Sequence, residues 1–336
     1  MLGGQTGLRT IEETPAADRE PDQAETGHGR TPLAPAGGRS VIGVNNREEV
    51  RQFLTTRRAR LSPEQAGVQT FGGRRRVPGL RREEVARLAG VSTEYFTRLE
   101  KGNLRGTSDS VLTAVARALQ LDDVETAHLF DLARAANAPR QRTPRRRPQT
   151  TVRPGVQRLL DTMTGAAAFL RNGRLDVLAT NPLGRALYAP VFDDPHRPAN
   201  LARFIYLTPE ASAAFYRNWD GIAADAVGSL RAEAGRTPEA PELTQLVGEL
   251  SLHSEQFRVR WATHDVRAYR TGIQPFHHPE VGDLDLAFEV MELPADPGQT
   301  IVAYTAEPGS PSAEKLDLLA SWSASPDQDV AAPDRT

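Results

Sequence analysis

Residues 80–102, LRREEVARLAGVSTEYFTRLEKG, decide how the first half of this chain folds. Their spacing predicts a helix over residues 82–89, because apolar side chains recur there on one helical face. Gly90 predicts a sharp turn after that helix, since glycine takes a positive φ at no steric cost, and Ser92 is placed to cap a second helix. The residues expected to face inward are Val85, Ala86, Leu88, Ala89, Phe96 and Leu99. The segment is therefore predicted to form a helix-turn-helix.

The second helix leaves a polar outer face, made of Thr93, Glu94, Tyr95, Thr97 and Arg98. Such a face on a short helix is most often simply solvated, and alone it predicts nothing more. Arginines gather on both sides of the segment, and residues 47–147 carry 21 basic and 12 acidic side chains. From residue 148 onward the chain carries 16 basic and 25 acidic side chains. We therefore expect the first half to attract a polyanion such as DNA, and the second half to be repelled by it.

The segment resembles the helix-turn-helix regulators related to lambda repressor and to the xenobiotic-response-element family, whose second helix ends in L-E-x-G, here Leu99, Glu100 and Gly102. The resemblance implies that this helix reads base edges in DNA, with Thr93 and Glu94 at its head. The full set of base-reading candidates is Thr93, Glu94, Tyr95, Thr97 and Arg98. The candidates for phosphate contact are Arg74, Arg75, Arg76, Arg81, Arg82, Lys101 and Arg105. A homodimer is expected, because one reading helix covers too few base pairs to define a specific site.

The residues around this segment complete a small all-α domain over residues 45–137. Its other helices are predicted over residues 48–61, 108–121 and 122–136, which makes a bundle of five. Residues 1–44 are rich in glycine, proline and charge and are expected to be disordered, as is the tail over residues 324–336. Proline and arginine dominate residues 138–153, which are predicted to form a linker.

Residues 154–323 are predicted to form an α+β domain. Two apolar runs flank Asn172 and Gly173, a pair that favours a two-residue hairpin turn. One apolar strand face is predicted from the alternation of Leu284, Leu286, Phe288 and Val290. Helices are predicted over residues 181–188, 209–234, 241–252 and 312–322, the last capped by Ser312, and further strands over residues 266–271, 275–277 and 301–306. Strands at both ends with helices between them predict an antiparallel sheet with helices on one face.

Several functional classes lack support in the sequence. Cysteine is absent, so no disulfide and no thiolate metal site or nucleophile is available. His277 and His278 have no i, i+4 histidine partner, and we find no activated serine motif, phosphate-binding glycine loop or nucleotide fingerprint. We therefore expect no catalytic residue, no metal and no cofactor, and no enzyme activity. No apolar run approaches the roughly 18 residues that cross a bilayer, and the N-terminus lacks a signal-peptide pattern, so we expect a cytoplasmic protein without membrane contact. The only lysines are Lys101 and Lys315, and this bias toward arginine is typical of GC-rich codon usage, so we expect a bacterial source.

Residues 152–322 resemble the C-terminal ligand-binding domain of MmyB-like transcription regulators. The matching words are LDVLATN (175–181), NWD (218–220), SLR (229–231), SEQFRVRWATHDVR (254–267), FHHPEVG (276–282) and YTAEPGSPS (304–312). The resemblance implies a PAS-like fold whose cavity takes an apolar small molecule such as a fatty acid. Candidate pocket residues are Trp219, Phe257, Trp261, His264, Arg267, Phe276, His278, Phe288 and Tyr304. His264, His278 or Arg267 are the candidates to meet a carboxylate, while each aromatic residue is also a candidate for ordinary core packing.

Together these features favour a DNA-binding transcriptional regulator whose C-terminal domain binds an apolar effector that changes DNA affinity. Two alternatives remain open. The first is an enzyme tethered to DNA, for which the sequence offers no catalytic pair. The second is a regulator whose C-terminal domain is a dimerisation or interaction module, with its cavity filled by its own side chains.

Overall fold

The computed structural model describes residues 45–69, 77, 79–138, 151–194, 197–266 and 270–323. Within these residues an all-α domain is followed by an α+β domain, as predicted. The expected disorder of both termini lies outside the described residues, as does most of the predicted linker. The site candidates that also lie outside them are Arg74, Arg75, Arg76 and Arg267.

The first domain is a bundle of short helices around one apolar core. Its helices are α1 (Asn46–Arg60), α2 (Arg82–Ala89), α3 (Thr93–Glu100), α4 (Asp109–Ala118) and α5 (Asp123–Asn137). Phe53 of α1, Phe96 of α3 and Leu129 of α5 are fully buried in this core. Helices as short as α2 and α3 are marginal in isolation, so this packing is what stabilises them.

The turn between α2 and α3 forms as its sequence predicts. Gly90 has a φ of 66°, in the left-handed region that glycine adopts without strain. The Ser92 hydroxyl accepts the backbone N–H of Tyr95 at 3.0 Å, which caps α3. The helix-turn-helix is thus specified by rules that act over a few residues.

One residue of α2 does not lie where the pattern predicts. Leu88 is 42% exposed, so its assignment to the inward face is wrong. The buried residues of α2 are Glu84, Val85, Ala86 and Ala89. Because each residue advances about 100° around a helix, Leu88 lies about a quarter turn from the centre of that stripe.

The second domain combines a five-stranded sheet with helices that surround it. Its elements are α6 (Pro154–Thr162), β1 (Ala167–Asn172), β2 (Val177–Thr180), α7 (Pro182–Leu187), α8 (Ala189–Phe192), α9 (Leu201–Leu207), α10 (Pro209–Phe215), α11 (Trp219–Arg236), α12 (Pro241–His253), α13 (Glu255–Ala262), β3 (Thr271–His278), β4 (Gly282–Glu292), β5 (Gln299–Thr305) and α14 (Pro311–Ser323). The strand order is β2-β1-β5-β4-β3, with every neighbouring pair antiparallel. Because β1 pairs with β5, the two ends of the domain meet at the centre of the sheet.

The two faces of the sheet differ in what covers them. On β4, Leu284, Leu286 and Phe288 are buried against the helices while Asp285 and Glu289 are exposed, which confirms the predicted alternation. The other face is not bare, because α6 packs on it near β1 and β5. The buried residues of this smaller core are Val156, Leu160, Ala168, Leu170 and Ile301. The prediction of helices on one face only is therefore wrong.

The connection between β1 and β2 is longer than the predicted two-residue turn. The left-handed residue in it is Leu175, with a φ of 67°, and not Asn172 or Gly173. The Asn172 side-chain oxygen accepts the backbone N–H groups of Arg174 and Asp176 at 2.9 and 3.0 Å. A side chain that bonds its own loop replaces the tight turn here.

The helix predicted over residues 209–234 is divided in two. α10 and α11 separate at Tyr216 and Arg217, where the chain runs extended beside β3. Arg217 donates its backbone N–H to the carbonyl of Pro275 at 3.2 Å, and Tyr216 forms a bridge with Phe276. A strand that is distant in sequence therefore breaks the helix, and no local pattern could indicate it.

Two smaller corrections concern the end of the domain. α13 forms in a segment for which the sequence pattern predicted no element. Ser312 does not cap α14, because its hydroxyl accepts the backbone N–H of Asp285 at 2.9 Å. The hydroxyl of Ser310 accepts the N–H of Ala313 at 3.2 Å in its place.

Candidate functional site

The outer face of α3 is polar and open. Thr93, Glu94 and Arg98 are exposed, and Tyr95 and Thr97 are half-buried. We call these five residues the reading face. The Arg98 guanidinium lies over the Tyr95 ring, with its central carbon 4.5 Å from the ring centroid. This cation–π contact orients the longest side chain of the face while leaving its donors free to bind a partner.

A buried carboxylate holds α3 against its neighbours. Glu100 is 2% exposed and forms ion pairs with Arg58 of α1, at 2.6 Å, and with Arg82 of α2. The Arg82 side chain remains 51% exposed, so it fixes the angle between α2 and α3 and still faces solvent. Such a network makes the position of the reading face rigid, which base recognition requires.

The described phosphate candidates are Arg81, Arg82, Lys101 and Arg105, and all four are exposed. Arg81 lies 3.5 Å from Glu83, an exposed pair that contributes little to stability. Within the described part of the chain, Lys101 and Arg105 form no ion pair, so both charges are available to an anion.

A chamber of about 90 Å³ lies between the sheet and the helices α9 and α11. Its apolar lining includes Phe169, Leu175, Leu201, Ile205, Ile222 and Val302. Its polar lining consists of Arg171, Tyr188, Tyr216, Asp225, Ser229 and Gln274, together with Tyr304. Mostly apolar walls with a few convergent polar groups are the usual composition of a small-molecule site.

The tyrosines of the chamber are protonated donors. The Tyr188 hydroxyl donates to the Tyr304 oxygen at 2.6 Å. Burial raises the pKa of Tyr304 to about 12, and it also raises the pKa values of Tyr188 and Tyr216. Because Tyr188 occupies one acceptor site of Tyr304, the Tyr304 proton can be donated to another acceptor.

Three of the predicted pocket residues lie at or beside the chamber. Phe288 and Tyr304 line it. Phe276 lies behind them in the aromatic core, with its ring centroid 5.4 Å from that of Tyr304. The remaining described candidates lie elsewhere in the domain.

Packing explains where those other candidates are. Trp219 donates its indole N–H to the Ser212 hydroxyl at 2.8 Å, and Phe257 stacks on Trp261 at 5.5 Å. The His278 Nε2–H donates to the Ala186 carbonyl at 3.1 Å, and burial lowers its pKa. These four side chains therefore bond or stack with other parts of the domain, and none of them lines the chamber.

His277 and His278 each have a partner within the protein. His277 is paired with Asp283 at 2.6 Å between Nδ1 and Oδ1 on the exposed end of the sheet. Across the residues described, no group of three or more side chains is arranged to hold a metal ion.

The sequence interpretation missed Arg171. Ala167, Phe169 and Arg171 alternate along β1 on the face that packs against the helices, and Arg171 lines the chamber. The sequence signal was a charged residue two positions after two alternating apolar ones, on the strand face expected to be buried. Charged side chains rarely lie on such a face unless they have a partner.

His264 lies in a buried polar contact between the two domains. Arg231 of α11 is fully buried, forms an ion pair with Glu49 of α1, and places its Nη1 2.8 Å from His264 Nδ1. Its guanidinium carbon lies 4.1 Å from the centroid of the Trp261 ring. We call Glu49, Arg231, Trp261 and His264 the interdomain cluster. Burial disfavours the charge on Glu49, but the hydrogen bond with His264 and the charge of Arg231 outweigh it and lower the Glu49 pKa to about 2.

A second set of ion pairs lies beside the interdomain cluster. Arg57 of α1 is 5% exposed and lies 2.7 Å from Glu125 and 3.4 Å from Asp265. Arg60 pairs with the same Asp265, and Val266 is buried in the core of the first domain. The segment after α13 is thus packed as part of the helical bundle.

Comparisons with known proteins agree with this arrangement. Residues 49–129 match a helix-turn-helix domain model, and residues 152–319 match the MmyB-like transcription regulator ligand binding domain. A comparison with curated proteins finds no match. Among the described residues, no helix is long and apolar enough to cross a membrane.

Proposed function

Since this chain belongs to the family of MmyB-like transcription regulators and carries a helix-turn-helix domain, we propose that α3 reads a DNA operator and that the chamber takes an apolar effector. The candidate effector is a fatty acid. The observation that carries the proposal is the chamber itself, which lies beside a helix that also contacts the DNA-binding domain.

The DNA part of the proposal rests on the reading face and the charges around it. Arg98 is exposed on the reading face, and Lys101 and Arg105 follow α3 with no acidic partner in the described residues. Glu94 is exposed in the first turn of α3 and can accept from the amino group of cytosine, a contact that reads sequence. We also propose a homodimer on a two-part site, because one such helix covers only a few base pairs.

Replacing Arg98 by alanine is expected to weaken binding to every duplex and to lower the slope of log K against log salt by about 1, because one cationic contact is lost. The matched control is Arg117→Ala on α4, which removes an exposed arginine from the same domain. Fluorescence anisotropy on labelled duplexes between low and moderate salt measures both quantities. Equal slopes for Arg98→Ala and Arg117→Ala would remove Arg98 from the interface.

Replacing Glu94 by alanine is expected to change sequence choice and not general affinity. A specific base contact is worth about 1–3 kcal/mol of discrimination, so the preference at one position of the site should relax by that amount. Selection from a random duplex pool, with wild type in parallel, measures the change. An unchanged sequence profile would exclude Glu94 as a base-reading residue.

The effector part of the proposal requires the chamber to open further. An engineered protein cavity of about 150 Å³ accommodates benzene, whereas this chamber measures about 90 Å³. A longer apolar molecule must therefore push back part of the wall. The sheet is fixed by its hydrogen-bond ladders, so the helical wall is the side that we expect to move.

Of the helices in this wall, α11 is placed to pass such a movement on. Ile222 and Ala226 of α11 line the chamber, while Arg231 belongs to the interdomain cluster. Ile222 and Arg231 are nine residues apart, about two and a half helical turns, so they lie on opposite faces of α11. An effector that displaces α11 alters the contact with α1, and DNA affinity changes if the two arrangements differ in DNA binding.

The direct test is extraction of the purified full-length protein and identification of any bound lipid by mass spectrometry. The stripped protein is then titrated with octanoate while its affinity for the selected duplex is recorded. Binding that changes DNA affinity supports the proposal. An empty domain that binds no apolar molecule and only holds two copies together would support the interaction module, and turnover of the added molecule would support the DNA-tethered enzyme.

A further inference from the structure

Arg171 is the one cationic side chain among the described residues that line the chamber. It extends from the central part of the sheet, since β1 pairs with β2 on one side and with β5 on the other. Its two predecessors on the same face, Ala167 and Phe169, are 1% and 2% exposed. The guanidinium thus extends from the face of β1 whose other residues pack in the hydrophobic core.

Within the described part of the chain, the Arg171 side chain forms no hydrogen bond and no ion pair. The Arg171 Nε is buried and has no hydrogen-bond partner, and among the described residues no carboxylate forms an ion pair with it. Burial lowers the pKa of Arg171, and the hydroxyls of Tyr304, Tyr188 and Tyr216 oppose that shift. An arginine nevertheless keeps its proton in proteins, so the site holds a positive charge.

Arg171 is half-buried and its buried Nε has no partner, an arrangement that costs free energy unless a ligand or ion compensates it. The chamber offers the space for one. Arg171 and Tyr304 both line it, and the Tyr304 proton is not used in the bond from Tyr188. A guanidinium fork and a phenol proton are donors that match the two oxygens of a carboxylate.

We propose that Arg171 binds the carboxylate of a monoanionic apolar effector, with Tyr304 as a second donor. This inference rests on the proposed function, because it assigns the head group of the molecule that the chamber takes. A single negative charge on the effector matches Arg171, the one cationic side chain among the described residues that line the chamber. Asp225, which also lines the chamber, disfavours any further negative charge on the effector. A phosphate monoester would bring a second negative charge, for which the described lining residues offer no second cation.

The test compares octanoate with 1-octanol, which have the same chain length and differ in the charge of the head group. Isothermal titration calorimetry is performed on the full-length wild type, Arg171→Gln and Arg171→Lys. The control is Arg158→Gln, an exposed arginine on α6 at the other face of the sheet. Wild type and Arg158→Gln should bind octanoate at least tenfold more tightly than 1-octanol, and Arg171→Gln should abolish this preference by weakening octanoate alone. Arg171→Lys should keep part of the preference.

Stability of the ligand-free protein supplies a second readout. Removal of a charge that has no partner should leave the unfolding midpoint of Arg171→Gln equal to that of wild type or raise it. A clear loss of stability would show that Arg171 has a structural ion-pair partner, which overturns the inference.

The failures of the two proposals can be told apart. If wild type and Arg171→Gln bind octanoate equally, the role of Arg171 in binding the carboxylate (the Arg171 anchor) is overturned. The proposal of an apolar effector stands in that case. If wild type binds 1-octanol as tightly as octanoate, the same conclusion holds. If wild type binds neither molecule, the proposal of an apolar effector is contradicted, and the Arg171 anchor is overturned with it.

Discussion

Replacing Arg231 by methionine is expected to destabilise the contact between the DNA-binding domain and α11 by about 3–5 kcal/mol, the usual cost of removing one partner of a buried ion pair. Arg231 is fully buried and holds Glu49, the backbone carbonyl of Trp261 and the ring of His264. Without it, the Glu49 carboxylate stays buried and keeps His264 as its one ion-pair partner among the described residues. The loss should appear in chemical unfolding as an earlier transition of the DNA-binding domain.

Two further variants distinguish the loss of the interdomain cluster from a general effect of replacing an arginine on α11. Arg236→Met removes an arginine from the same helix whose side chain is 45% exposed and paired with Glu233, so it should cost less than about 1 kcal/mol. Combining Arg231→Met with Glu49→Gln should recover part of the loss, because the unpaired buried charge is then also removed. Equal stability of Arg231→Met and Arg236→Met would contradict the role that we assign to the interdomain cluster.

The same variant tests how effector binding in the chamber changes the affinity for DNA. If α11 passes the displacement through Arg231, then Arg231→Met should still bind octanoate, while octanoate should no longer change its DNA affinity. An effector acts only through a difference between two states, and this substitution removes the contact that distinguishes them. Persistence of the full octanoate effect in Arg231→Met would exclude the interdomain cluster as the route.

Local rules explain which parts of the fold the sequence predicts well. The helix-turn-helix needs a glycine with positive φ and a capping serine, and Gly90 and Ser92 act within a few residues of where they stand. The apolar face of β4 follows from alternation alone. These features depend on backbone geometry and solvent exposure, which a short window of sequence reflects.

The parts that escaped prediction depend on contacts between distant residues. The break between α10 and α11 is stabilised by β3, and the loop after β1 is organised by the Asn172 side chain. Composition also drew the pocket prediction toward residues that the structure places away from the chamber. Trp261 and His264 have the residue types of a ligand site, yet they pack around Arg231, whereas the chamber has an arginine on a strand that otherwise predicts core.

Lowering the pH is expected to weaken the same interdomain contact through His128 of α5. The imidazole is 2% exposed, and neither ring nitrogen has a hydrogen-bond partner among the described residues. A Cβ on Gly235 of α11 would lie 2.7 Å from His128 Cε1, so the backbone of α11 packs directly against the ring. Burial, followed by the charges of Arg231, Arg57 and Arg236 and opposed by Glu49, lowers the His128 pKa to about 3.

The sign of the effect follows from linkage. In the unfolded chain the imidazole has its ordinary pKa of about 6.5, so between that pH and about 3 the unfolded state binds a proton that the folded state does not. This titration leaves the free energy of unfolding unchanged above about pH 6.5 and lowers it by about 1.4 kcal/mol per pH unit below that value. Glu49, with its pKa of about 2, adds its own loss only below its ordinary value of 4.5.

Replacing His128 by methionine should therefore separate the pH range in which His128 lowers stability from the more acidic range in which Glu49 does. Methionine is close in volume, adapts to irregular gaps and carries no proton, so stability at pH 8 should change by less than about 1.5 kcal/mol. Between pH 6.5 and 4.5 the variant should lose about 2–3 kcal/mol less than wild type, as measured by urea unfolding at each pH. His253→Gln, which replaces an exposed histidine at the end of α12, should keep the wild-type slope. Parallel stability curves for wild type and His128→Met over this range would mean that the buried imidazole does not set the acid sensitivity of the contact.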